Sequence, residues 1–69
     1  MIIELNGREV EIADGATVAD AARAAGIEPG RRGIAIALDG EVVPGGMLAE
    51  TALAAGQRVE VVEAIGGGS

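Results

Sequence analysis

Residues 2–12 read Ile-Ile-Glu-Leu-Asn-Gly-Arg-Glu-Val-Glu-Ile, and this stretch decides the fold. Ile2-Ile3-Glu4-Leu5 suits a strand, and Asn6-Gly7 follows it. Asn-Gly is the strongest short hairpin signal, because both central residues of a type I′ turn need positive φ. Arg8-Glu9-Val10-Glu11-Ile12 then alternates polar and apolar side chains, as a strand with one wet face does. The chain therefore opens with a tight antiparallel hairpin.

Beyond the hairpin, Asp14-Gly15-Ala16 breaks the alternation and Thr17 begins a different period. Thr17 with Asp20 three residues later is a capping-box variant: the hydroxyl accepts from a free helix amide, and the acid favours the positive helix end. Val18, Ala21, Ala22 and Ala25 share one helical face. Gly26 suits the left-handed conformation that ends helices, and Pro29 prevents resumption. A short helix is predicted over about Val18 to Ala25, with alanines small enough to let it lie close on a sheet. Glu28 to Gly33 reads as a loop exposing Arg31 and Arg32.

Ile34-Ala35-Ile36-Ala37-Leu38 alternates large and small apolar residues, which predicts a strand with one core face and one lightly covered face. Asp39-Gly40 is a second hairpin signal, followed by the short strand Glu41-Val42-Val43 and a stop at Pro44-Gly45-Gly46. Met47 to Leu53 suits a single helical turn anchored by Met47, Leu48 and Leu53. After the Ala54-Ala55-Gly56 turn, Arg58 to Ile65 is a strand rich in β-branched residues. The order strand, strand, helix, strand, strand, turn, strand matches the α+β β-grasp layout: a mixed five-stranded sheet packed on one short helix. There the first and last strands lie parallel at the centre, and here those two are the most apolar. Met1, Ile3, Leu5, Val10, Ile12, Val18, Ala22, Ile34, Ile36, Leu38, Val59 and Val61 are the expected core. One domain is expected over 1–65, with 66–69 as a flexible glycine tail.

Composition narrows the chemistry. The chain has 69 residues, with no Cys, no His and no aromatic residue. No Cys means no disulfide and no nucleophilic thiol; no His removes the commonest metal ligand and the usual general base near neutral pH. An enzyme is disfavoured, and no bound cofactor or metal is expected. Eleven acids against five arginines give a net charge of −6, which opposes phosphate backbones and argues against nucleic-acid binding. That charge suits a partner with a basic surface and equally serves solubility. Glu9, Glu11, Glu60 and Glu63 read as solvated strand-face charges. Met1-Ile2-Ile3 meets Glu4 at once, so no signal-peptide apolar region is visible, and no run reaches the roughly 20 apolar residues of a membrane span. A cytoplasmic monomer is the expectation.

Ile34 to Leu38, Val43-Pro44, Ala49-Glu50-Thr51, Gly56, Val59-Glu60-Val61-Val62, Ala64-Ile65 and Gly67-Gly68 together resemble the thiamine-biosynthesis sulfur carriers, the ThiS family. Ile3 to Val10 around Asn6-Gly7 and the helix start at Thr17-Val18 also fit, so the resemblance covers essentially the whole chain. The related molybdopterin-synthase small subunits share the fold and the Gly-Gly end; this chain's length and its Val43-Pro44 segment favour the thiamine carriers. Gly45 and Leu48 stand where many members carry Arg and Trp, and Ala55 and Gln57 replace frequent Asp residues.

The resemblance implies a ubiquitin-like protein co-substrate. Its Gly68 carboxyl would be adenylated by a ThiF-type enzyme using ATP, converted to a thiocarboxylate, and drawn on by a thiazole synthase. Gly67 would supply thin, unbranched reach, and Gly66 would be spacer. Ile2, Val62, Ala64 and Ile65 are the candidate docking residues, the first three expected on the sheet face away from the helix beside the root of the tail. Ser69 follows the glycine pair and blocks this chemistry unless it is removed. Gly-Gly-Gly-Ser also looks like a linker, so the residues leave open a binding-only or engineered β-grasp module. The end product, thiamine or another sulfur compound, also stays open.

Overall fold

The computed structural model describes residues 1–63. Within them the chain forms β1 (Ile2–Leu5), β2 (Arg8–Glu11), α1 (Val18–Ala24), β3 (Ile34–Leu38), β4 (Glu41–Val43), a 3-10 helix (Gly45–Glu50) and β5 (Arg58–Glu63). The sheet order is β2-β1-β5-β3-β4. β1 and β5 run parallel, pairing Glu4 with Arg58 and Leu5 with Val59, while the other neighbours are antiparallel. This is the β-grasp arrangement that the element order implies.

Both hairpin turns form as their dipeptides require. Asn6 and Gly7 have φ of 51° and 82°, and Asp39 and Gly40 have φ of 50° and 86°. Asn and Asp tolerate this left-handed region better than other side chains.

The Thr17–Asp20 capping box is complete. Asp20 N donates to Thr17 Oγ1 at 3.2 Å, and Thr17 N donates to Asp20 Oδ2 at 2.9 Å. The helix ends one residue earlier than expected, with Ala25 as its C-cap. The Gly26 and Ile27 amides turn back onto Arg23 and Ala22 carbonyls, both at 2.9 Å, with Gly26 at φ 79°. That is a Schellman closure, which needs a residue free to adopt positive φ.

Ile3, Ile36, Val18 and Val59 are the largest fully buried side chains, joined by Leu5, Ala19, Ala21, Ala22, Leu48 and Leu53. The expected core residues Met1, Val10, Ile12, Ile34, Leu38 and Val61 pack around this cluster half-buried. One anchor differs: Met47 is exposed, while Leu48 and Leu53 are buried. The 3-10 helix begins at Gly45, earlier than the expected turn, and presents Leu48 inward. The segment after it is bonded to the start of α1, with Val18 N donating to Thr51 O and Leu53 N to Ala16 O. Among the described residues no helix is long and apolar enough to cross a membrane.

Candidate functional site

The strand that leads to the glycine residues is β5, the third of five in the sheet. Its register with its neighbours places every described side chain near that end. Val59 and Val61 face α1, so Arg58, Glu60 and Val62 point to the opposite, outer face of the sheet. Ala35 pairs with Val62, Ala37 with Glu60, and Val42 with Ala37, so all of these share the outer face. Val42 and Val62 are 68% and 59% exposed. Ala35, Ala37, Val42 and Val62 thus form a continuous apolar stripe over β4, β3 and β5, ending near the last described residue of β5.

Ile2 does not belong to that stripe, contrary to expectation. It is exposed and on the outer face, but Gly56 N donates to its carbonyl at 2.8 Å, which sets it level with the start of β5. Val62 lies six residues further on, about 20 Å away along a strand. The even spacing of the sequence assigns the face correctly; the parallel register, which only the fold supplies, sets Ile2 at the opposite end of β5 from Val62. Ala64 and Ile65, and the tail residues Gly66, Gly67 and Gly68, lie outside the described residues, as do the last two positions of the expected Arg58 to Ile65 strand. Ala35, Ala37 and Val42 share this face with Val62 although they are not among the expected docking residues. The signal was present in the small-residue alternation of Ile34 to Leu38 and in the exposed face it implied.

The other half of the outer face is acidic. Glu4 pairs directly with Glu9, and Glu11 stands beside Ile2. Arg58, level with Glu4 across the parallel pair, supplies a neighbouring positive charge. Like charges placed opposite each other are unfavourable in a sheet, and here Glu4, Glu9 and Glu11 are all exposed to water, which screens their repulsion.

Two turn residues reach the β5 backbone with their side chains. Asp39 Oδ1 accepts from Arg58 N at 2.9 Å, and its Oδ2 accepts from Gln57 Nε2 at 3.0 Å. These bonds, the Arg58 amide first, hold the Asp39 carboxyl below the ordinary Asp range. At the other end Val61 N donates to Asn6 Oδ1 at 2.7 Å. Arg31, expected on a solvated loop, is exposed but engaged: its Nη2 donates to Glu63 Oε2 at 2.5 Å.

An open depression lies between α1 and the 3-10 helix, lined by Ala19, Arg23, Glu28, Pro29, Arg31 and Leu48. Arg23 pairs there with Asp20 at 3.2 Å.

The model of the ThiS family matches residues 2–68, a span that includes Gly67 and Gly68. A crystal structure of the thiamine biosynthesis protein ThiS from Geobacter metallireducens superposes with a TM-score of 0.80 at 24% identity, covering 99% of this chain and 100% of that one. A solution NMR structure of a thiamine biosynthesis protein from the same organism gives 0.76 at 25% identity, covering 100% of this chain and 90% of that one. No curated protein matches the chain.

Proposed function

This chain belongs to the ThiS family, and from that premise we propose that it is a sulfur carrier of thiamine biosynthesis whose reacting group is the Gly68 carboxyl. The observation that carries the reading is that the family match runs through Gly67-Gly68 as well as through the body that holds them.

The chemistry asks little of the carrier's side chains. A carboxylate is a poor acyl donor until one oxygen becomes part of a good leaving group. Once the Gly68–Ser69 peptide bond has been hydrolysed, the freed Gly68 carboxylate attacks the α-phosphorus of ATP, forming an acyl-adenylate and releasing pyrophosphate. A sulfide-level nucleophile then adds to the acyl carbon and AMP leaves, so that one carboxyl oxygen departs with AMP and sulfur takes its place. ATP and the residues that catalyse these steps belong to a ThiF-type activating enzyme in the cytoplasm, and the thiocarboxylate then serves a thiazole synthase. The carrier is a co-substrate in both encounters.

What the carrier supplies is reach and presentation. The five residues from Ala64 to Gly68 span at most about 18 Å when extended. Three consecutive glycines offer no Cβ to clash in a narrow channel and accept backbone conformations that other residues refuse. The apolar stripe of Ala35, Ala37, Val42 and Val62 is the docking face in this reading. It lies beside the strand that ends in the tail, so a partner seated on it has the reacting group within reach.

The test uses a chain ending at Gly68, incubated with ATP, a sulfide source and a ThiF-type enzyme, and weighed intact. The expected product has one oxygen replaced by sulfur. A chain that forms neither adenylate nor thiocarboxylate under conditions where the enzyme activates a known carrier would sink the proposal.

A further inference from the structure

Past Val59, β5 runs on beyond the end of β1. The last β1–β5 pair is Leu5 with Val59, whereas on the other flank the pairing with β3 continues to Ile34 and Glu63. The strand that leads to the tail is thus held as a sheet on one side and by single side chains at its end. On the β1 side, Asn6 Oδ1 accepts from Val61 N, a bond joining residues 55 apart in sequence. On the β3 side, Arg31 reaches from the loop before β3 to Glu63, the last described residue of β5.

Neither bond is accounted for by its local role. The Asn6-Gly7 turn needs only a residue that tolerates φ near 51°, and Gly would meet that need with less strain. Only a side chain with an acceptor reaches the Val61 amide, which β1 has left behind by turning away. The Arg31–Glu63 pair is about half-exposed on both partners, and exposed ion pairs add little to stability. Its consequence is geometric: it fixes the β5 end against the 28–33 loop.

We infer that Asn6 and Arg31 are positioning residues for the tail, a two-sided brace that holds the Val61 to Glu63 end of β5 to which the tail is joined. The inference rests on the carrier reading for its consequence, since a tail aimed by a rigid strand end delivers its carboxyl in a productive geometry more often than one leaving a frayed strand. Small misplacements of a reacting group are costly to rate. Docking of the body, which uses the stripe on the outer face, is unaffected by the brace.

The experiment compares the chain ending at Gly68 with Asn6→Gly, Asn6→Asp, Arg31→Ala and the Asn6→Gly/Arg31→Ala pair. It measures backbone 15N order parameters from Val61 to Ile65, and steady-state adenylation well below each melting temperature. In the paired variant the order parameters at Val62 and Glu63 are expected to fall from about 0.85 to about 0.6 or lower. The rate constant kcat is expected to fall on the order of 10-fold with KM for the carrier unchanged. Asn6→Asp keeps both the acceptor and the tolerance of positive φ, and restores both readouts. Unchanged order parameters at Glu63, or unchanged kcat in a folded paired variant, overturn the inference. Should Asn6→Gly fail to fold, Arg31→Ala, altered only at an exposed position, is judged by the same two readouts. If the wild-type chain is not adenylated, the carrier reading falls, and the order parameters alone decide whether the brace exists.

Discussion

Asn6 and Asp39 occupy the same place in two type I′ turns, and each does a second task with its side chain. Both have positive φ, and both place an oxygen on the backbone of β5, Asn6 at Val61 and Asp39 at Arg58. The Asp39 carboxyl is held below the usual range by the Arg58 amide first and by Gln57 second, and the Asp20 carboxyl by Thr17. A carboxyl lowered in the folded state binds protons less readily than in the unfolded chain. Its contribution is therefore complete above the unfolded pKa, near 3.9, and is lost as pH falls through the lower folded value. Melting followed by circular dichroism should give a flat Tm from about pH 7 to 5 and a fall below about pH 4. Asp39→Asn keeps the turn conformation and removes the charge. It is expected to start from a lower Tm at pH 7 and to show a shallower acid limb, converging with wild type at the acid extreme. An equally steep limb in Asp39→Asn would locate the acid sensitivity elsewhere.

At the scale of elements, α1 is a helix of seven residues, too short to persist by propensity alone. It is held by its cap and by its buried face, where Val18, Ala21 and Ala22 have no exposed surface. Thr17→Ala is expected to cost about 1 kcal/mol, read as a Tm loss of roughly 4–8 °C for a domain this size. Ala22→Leu forces a larger side chain between helix and sheet and should cost about 1–3 kcal/mol; a neutral result would mean that the helix rides further off the sheet than the burial shows. These elements were legible in the sequence because their signals are local: Asn-Gly and Asp-Gly for the turns, Thr17 and Asp20 for the cap, Gly26 for the stop. What was illegible depended on chain segments far apart. Met47 and Leu48 are adjacent and both apolar, and only the packing of the 3-10 helix under α1 decides that Leu48 turns inward. Ile2 and Val62 both alternate onto the outer face, but periodicity carries no information on the level at which two parallel strands align. The Asn6–Val61 and Arg31–Glu63 bonds likewise join segments that no local pattern relates.

At the scale of the whole molecule, a core without aromatic side chains rests on aliphatic packing alone. A domain of this length carries roughly 3–10 kcal/mol of stability, and Ile36→Ala, at a position 2% exposed, is expected to remove about 2–5 kcal/mol of it. That fragility of the inside contrasts with the freedom of the outer face, where apolar and acidic halves are separated across the sheet. Val42 and Val62 lie on the apolar half, and Ile2 lies about 20 Å from Val62 along the strand direction, among Glu4 and Glu11. The three side chains share a face, an exposure class and an aliphatic character, so they differ chiefly in where they sit. Val42→Ser/Val62→Ser is expected to leave thermal stability within about 0.5 kcal/mol of wild type. If the apolar half is the docking face, the pair should raise KM for the activating enzyme on the order of 10-fold, the effect of losing somewhat more than 1 kcal/mol of interface contact. Ile2→Ser, made in the same background, should leave KM unchanged. Titration of the activating enzyme with each variant measures this directly. A KM that rises for Ile2→Ser and not for the valine pair would move the docking face to the acidic half, where charge complementarity with a basic surface would set the encounter.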